Sequence, residues 1–252
     1  MPLFRLDPDS AVFRKLSRTP RPSPSSLWIE ARDAKALELL DRLPEHGLAI
    51  VGTREPQPRS EWFTEKFVQG LQASPLIILS GLARGIDSVA HESALDAGLP
   101  TIAILGCGLD HQYPPEGRAL RERIVHSGGL VISEFSPHER PTRHFFVKRN
   151  RLIAAWSQAL CVMEAPAKSG ALLSADYAME HHATVFSVPS FPDDPAYAGN
   201  QRLIDEYAAI PLWGTHSLGA VWLDLATRQR AFPLEVAKAP RGLRLKISAP
   251  SS

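Results

Sequence analysis

Apolar residues gather into six short runs along the middle of the chain: 48–51 (LAIV), 76–79 (LIIL), 101–105 (TIAIL), 129–132 (GLVI), 159–163 (ALCVM) and 184–188 (TVFSV). Runs that are apolar at nearly every position fit strands covered on both faces. Between them, near 59–73, 86–97, 116–127, 147–157 and 171–182, apolar positions recur at helical spacing among polar ones. Strand alternating with helix predicts an α/β fold, a doubly wound, mostly parallel sheet with helices on both faces. Ahead of this unit, RTPRPSPSS at 18–26 is too rich in proline for a helix or an inner strand and reads as a linker. A short helical pattern follows near 29–43 on Ala31, Ala34, Leu37, Leu40 and Leu43. The expected organisation is an N-terminal extension over 1–46 with this linker and one helix, a main domain over 47–212, and a short basic tail over 213–252.

A chain of 252 residues with 44% hydrophobic and 22% charged positions is globular and long enough to bury a core. It has no apolar run long enough to span a bilayer, and its first residues lack the apolar centre of a secretory signal, so the expected setting is cytoplasmic and away from membranes. Cys107 and Cys161 stand far apart without Cys/His spacing, which argues for buried free thiols over a disulfide scaffold or zinc site. Net charge is only +1, but 118–151 holds eight Arg/Lys against three Asp/Glu. Basicity concentrated in this way can focus a field on an anion such as phosphate.

In doubly wound sheets ligands bind beyond the carboxyl ends of the strands. The residues found there are Gly52-Thr53-Arg54, Ser80 to Gly85, Gly106 to Gly108, Ser133-Glu134 and Glu164 to Gly170. Ser80-Gly81-Leu82-Ala83-Arg84-Gly85 opens a helix, and a glycine loop of that kind can gather N–H groups around a phosphate. Ser80 adds a hydroxyl, Arg84 a charge, and Asp87 either caps the helix or orients Arg84, with His91 one turn along. Lys168-Ser169-Gly170 is a second loop of this type, and Arg54 sets a forked guanidinium at the same rim. The segment 144–157 (HFFVKRNRLIAAWS) carries Lys148, Arg149, Asn150 and Arg151 beside Phe145, Phe146 and Trp156. Cations interleaved with rings suit unpaired nucleic acid. The competing account makes Phe146, Leu152, Ile153 and Trp156 a core face, but leaves three cations at an expected helix start, where the dipole disfavours them.

Other chemistry is not supported by the sequence. Gly106-x-Gly108 lacks the third glycine of a dinucleotide fingerprint, and no GxxxxGK[ST] or G-x-S-x-G is present. His181 and His182 point apart on a helix with no further ligands, so neither metal nor cofactor is expected.

AIVGTR (49–54), SGLARGIDSVAH (80–91), YPPE (113–116), ISE (132–134), KRNRLIAAWS (148–157), EAPAKSGALLSADYAME (164–180) and VFSVP (185–189) together resemble, in order, the DNA-processing protein A family, also called DprA or Smf. The resemblance implies an extended Rossmann-like domain that binds single-stranded DNA without catalysis, protects incoming strands in natural transformation, helps load the RecA recombinase, and forms a homodimer without nucleotide or metal. By motif, Arg54 matches the arginine of a G-S-R turn, with Thr53 for serine after Gly52. Ser80, Gly81, Gly85 and Asp87 match S-G-x-A-x-G-I-D, Lys148 to Arg151 match the basic R-N-R segment, and Ser169-Gly170 match a second S-G loop. Gly117 stands where the family usually has asparagine, His182-Ala183 replaces Gly-Arg, Ser190 replaces glycine, and Tyr207 replaces glycine. The first 46 residues are too short for the helical domain many members carry, and those after 212 have too few apolar positions for a winged helix.

Two other classes fit the same architecture. One is a nucleotide-binding enzyme or sensor similar to nucleoside-monophosphate phosphoribohydrolases, with Glu180 as acid or base; those relatives use P-G-G-x-G-T-x-x-E, and AKSGALLSADYAME lacks the tandem glycines. The other is an interaction scaffold indifferent to DNA.

Overall fold

The computed structural model describes residues 2–16, 23–190 and 193–213. The elements are β1 (Leu3–Leu6), α1 (Ala11–Leu16), β2 (Leu27–Glu30), α2 (Leu39–His46), β3 (Gly47–Val51), α3 (Pro58–Gln69), β4 (Ile77–Ser80), α4 (Ile86–Asp96), β5 (Thr101–Leu105), α5 (Arg118–His126), β6 (Leu130–Ser133), α6 (Arg143–Ala155), β7 (Ala159–Val162), α7 (Gly170–Glu180), β8 (Thr184–Ser187), α8 (Ala198–Tyr207) and β9 (Ile210–Pro211). All six apolar runs are strands, and they share one sheet in the order β1-β2-β6-β5-β4-β3-β7-β8-β9. From β6 to β9 every pairing is parallel; β1 and β2 join antiparallel beside β6. The chain winds outward from β3 through β4 and β5 to β6, then returns to β7 on the other side of β3. The topological switch therefore lies between β3 and β7.

Alternation along each strand explains why both faces are apolar. Ala49 and Val51 enter a core with residues of α1, α2, α6 and α7, whereas Leu48 and Ile50 enter another with α3 and α4. Ile102 and Ile104 likewise point to the first side, and Ala103 and Leu105 pack with Leu120 and Ile124 of α5 on the opposite side. The expected Rossmann-like α/β fold is the observed one. Both cysteines are free and buried.

Most of the expected linker at 18–26 lies outside the described residues, and the single helix expected before residue 47 is accompanied by α1, β1 and β2. Residues 27–30, placed partly in the 29–43 helical pattern, form β2, with Ile29 opposite Ile132 of β6 and buried completely. A four-residue strand is too short to display its period, and the spacing of Ala31, Leu37, Leu40 and Leu43 concealed it. The regular helix begins only at Leu39, after a 3-10 turn at Ala34–Glu38. Together β1 and β2 cover the edge that β6 would otherwise expose. The basic tail beyond Trp213 lies outside the described residues.

Candidate nucleic-acid interface

Beyond the carboxyl ends of β3 and β4, two turns are locked onto each other. Gly85 has φ +75, and a Cβ there would come within 2.5 Å of the Thr53 carbonyl oxygen, so glycine lets the 83–85 turn lie against the backbone of Thr53 and Arg54. Ile86 then donates its N–H to the Thr53 carbonyl at 3.2 Å. Asp87 accepts the N–H groups of Gly81 at 3.1 Å and Ala83 at 3.4 Å. Burial pushes the Asp87 carboxyl above its usual range, opposed by the nearby Arg149 charge and by these bonds. The Ser80 hydroxyl donates to the Ile50 carbonyl at 2.7 Å and is fully buried.

Between these turns and the start of α6 opens a recess lined by Arg54, Gly81, Leu82, Ala83, Arg84, Tyr113, Pro114, Phe146 and Arg149. Arg149 forms its inner wall: it is 4% exposed, donates Nη1 to the Ile104 carbonyl, and donates Nε to Asn150 Oδ1 at 3.1 Å. Burial depresses its pKa, with the Asp87 charge opposing and the Arg54 charge adding to the depression. Guanidinium stays protonated at any ordinary pH, so the recess is cationic. Arg54 stands at the mouth, its guanidinium 5.4 Å from the centre of the Phe146 ring, which also meets Tyr113 at 5.1 Å. Among the described residues no carboxylate lies within ion-pair distance of Arg54. Arg84 is more than half exposed and pairs with Glu116 at 3.2 Å, a surface contact of little strength.

Of the residues singled out in the sequence, Arg54, Gly81, Arg84, Phe146 and Arg149 thus meet in one recess, framed by Gly52, Thr53, Gly85 and Asp87. Four expectations need correction. The N–H groups of Gly81 and Ala83 are taken by Asp87 and Ser80 spends its hydroxyl on Ile50, so charge from the guanidinium groups, more than the loop's amides, faces the recess. Asp87 faces Arg149 and not Arg84. The cations at 148–151 are not at a helix start, because α6 begins at Arg143 under the Thr142 cap. Finally, they diverge: Arg149 enters the recess, while buried Arg151 pairs with Glu134 and Lys148 reaches the same carboxylate at 3.3 Å. Residues two apart on a helix project about 200° apart, which produces this split.

Lys168, Ser169 and Gly170 do not line the recess. Ser169 caps α7 by accepting the Ala171 N–H, and Asn150 donates to the Gly170 carbonyl at 3.3 Å. Leu152, Ile153 and Trp156 are core residues, as the competing account had it, whereas Phe146 is half-buried at the recess. Glu180 closes the far end of α7, about 16 Å of helix from its start. Tyr113 and Pro114 were not singled out for this site, although a tyrosine in the loop following β5 satisfies the carboxyl-end rule. His91 is fully buried with Nδ1 on Thr101 Oγ1 at 2.7 Å, and burial lowers its pKa to about 3. Among the described residues no group of three or more His, Cys, Asp or Glu could hold a metal, and no helix is long and apolar enough to cross a membrane.

A family model described as DNA recombination-mediator protein A matches residues 23–218. Protein Smf of Synechocystis is 41% identical over 236 residues, covering 92% of this chain and 58% of that protein, so the chain spans less than two thirds of that relative. The X-ray structure of DNA processing protein A from Streptococcus pneumoniae superposes with a TM-score of 0.75 at 33% identity, covering 87% of this chain and 73% of that one. The Helicobacter pylori protein, whose structure concerns its single-stranded DNA binding mode, superposes with a TM-score of 0.74 at 27% identity, covering 89% and 97%.

Proposed function

The chain belongs to the DNA recombination-mediator protein A family, and from that premise we propose that it binds single-stranded DNA, without catalysing a reaction on it, through the recess at the carboxyl ends of β3, β4 and β5. The observation that carries this reading is the convergence of Arg54, Arg84 and Arg149 on a cavity walled by the rings of Phe146 and Tyr113. Guanidinium groups hold phosphate, and ring faces hold bases that are free of a pairing partner. The single-stranded DNA binding mode studied in the Helicobacter pylori protein supports the same ligand class. Protection of incoming strands, assistance to RecA and a homodimer, which the family resemblance implies, form part of the proposal, as does the cytoplasmic setting expected from the sequence. No observation favours the phosphoribohydrolase-like alternative, since Glu180 lies at the opposite end of α7 from the strand termini.

The test is a titration of labelled oligothymidylate and of a duplex over a salt series. Each neutralised phosphate contributes about −0.7 to the slope of log affinity on log salt, so two or three contacts give roughly −1.4 to −2.1. Arg54→Ala is expected to flatten that slope by about 0.7. Equal affinity for duplex and single strand, or a slope unmoved by Arg54→Ala, overturns the assignment.

A further inference from the structure

Arg54 stands on a turn that the 83–85 turn holds from one side, through Ile86 on the Thr53 carbonyl, and a residue 110 positions away in sequence holds from the other. Glu164 follows β7 and is 2% exposed. Its carbonyl oxygen accepts the Thr53 N–H at 2.7 Å, and its carboxylate accepts the Gln57 N–H at 2.9 Å. One side chain and one peptide group of Glu164 therefore clamp the backbone on both sides of Arg54. The carboxylate also meets a need of α3: the side chain of Gln57, at the N-cap, makes no capping bond, and Pro58 in the first turn has no N–H to offer. A negative group there is further favoured by the helix dipole.

We propose that Glu164 is the positioning residue for Arg54: by fixing the span from Thr53 to Gln57 it sets the guanidinium over Phe146 at the mouth of the recess. The inference rests on the single-stranded DNA reading above. It distinguishes Glu164 from a mere helix cap, because a cap would govern the stability of α3 and not the number of phosphates contacted.

Glu164→Leu removes the carboxylate while retaining the backbone carbonyl and much of the volume. Gln57→Pro removes the donor while leaving residue 164 unchanged; the local φ of −71 admits proline, and the ring Cδ takes the place of the N–H, so the Glu164 carboxylate must withdraw. Glu164→Gln keeps an oxygen that can accept the same N–H. In oligothymidylate anisotropy over a salt series, Glu164→Leu and Gln57→Pro are each expected to weaken binding about tenfold, the loss of one hydrogen bond to a charged group, and to flatten the salt slope by about 0.7. Adding Arg54→Ala to either should cost nothing more, and Glu164→Gln should bind within threefold of the parent. Circular dichroism identifies any variant that has lost its fold; if Glu164→Leu does so, Gln57→Pro decides. Folded variants with an unchanged slope, or losses that add to that of Arg54→Ala, overturn the positioning role while leaving the DNA reading intact. Arg54→Ala without effect overturns the DNA reading itself, and this inference with it.

Discussion

Gly81→Ala tests the recess from its inner wall. The built methyl would overlap the guanidinium of Arg149, its nearest neighbours being Nη1, Cζ and Nη2. Backbone strain is not the cause, since Gly81 does not have positive φ. The guanidinium must retreat, and retreat breaks its bond to the Ile104 carbonyl and weakens its attraction to Asp87. A hydrogen bond from a charged donor is worth about 1.5–3 kcal/mol. Gly→Ala returns about 0.4–1 kcal/mol by restricting the unfolded chain. The net expectation is a loss of about 1–2 kcal/mol in urea unfolding. Oligothymidylate should bind roughly tenfold more weakly with a slope flatter by about 0.7, because one phosphate contact is withdrawn. Gly170→Ala is the matching control: it sits in the other Ser-Gly loop with nothing within 4 Å of the added methyl, so it should leave affinity and salt slope unchanged and raise stability by about 0.4–1 kcal/mol. Destabilisation by Gly81→Ala with an unchanged slope would refute Arg149 as a phosphate ligand. Loss of binding by Gly170→Ala would show that the 168–170 loop holds DNA after all.

Phe146→Ala should weaken oligothymidylate binding by about 1–3 kcal/mol, the worth of one stacked base, yet leave the salt slope unchanged because no charge is removed; a flatter slope would mean that the ring acts through Arg54. His91 gives a pH signature. Thr101 Oγ1 donates to the Ile78 carbonyl at 3.0 Å, so the bond from His91 Nδ1 requires the neutral Nδ1–H tautomer. Its pKa falls from 6.5 to about 3 on folding, so the unfolded chain takes up a proton below pH 6.5 that the folded protein refuses. Stability from this group is complete above pH 6.5 and is lost as pH falls toward 3, reaching about 2 kcal/mol of loss by pH 5. Urea unfolding of His91→Gln between pH 7.5 and pH 5 should show that much less pH dependence than the parent, and identical curves would contradict a neutral buried imidazole.

The fold was legible because its strands are continuously apolar and its helices keep their period. What escaped was decided by contacts at long range. β2 owes its existence to pairing with β6, and no local pattern in LWIE announces that partner. Helical spacing did indicate α6, but its start at Arg143 depends on the Thr142 cap, and moving the start by four residues turned three apparent N-terminal cations into mid-helix residues. The sequence brought Lys148, Arg149 and Arg151 together as a basic cluster, whereas 100° per residue separates them by direction. Only burial and Glu134 reveal which cation faces the recess. Equally, the two Ser-Gly loops read alike as strings, yet one lies beside Arg149 and the other serves to cap a helix.

The position of the recess follows from what fills the expected one. A doubly wound sheet leaves a crevice at its switch point, here between the ends of β3 and β7, and that crevice commonly takes a nucleotide phosphate at a helix N-terminus. In this chain Glu164 occupies the N-terminus of α3 with a carboxylate of its own. Buried Asn200 completes the closure: its oxygen accepts the Ala165 N–H at 2.7 Å, and its amide donates to the Val162 carbonyl at 2.9 Å. Protein groups thus stand at the N-terminus of α3, where a phosphate would otherwise be favoured. The open ground lies one strand over, above β4 and β5, where α6 supplies a guanidinium and a ring in place of a glycine-rich turn. Side chains that reach a ligand from a helix flank can grip a phosphate and a base without enclosing either end. Under the proposed function, a recess built this way accommodates a phosphodiester within a continuing strand.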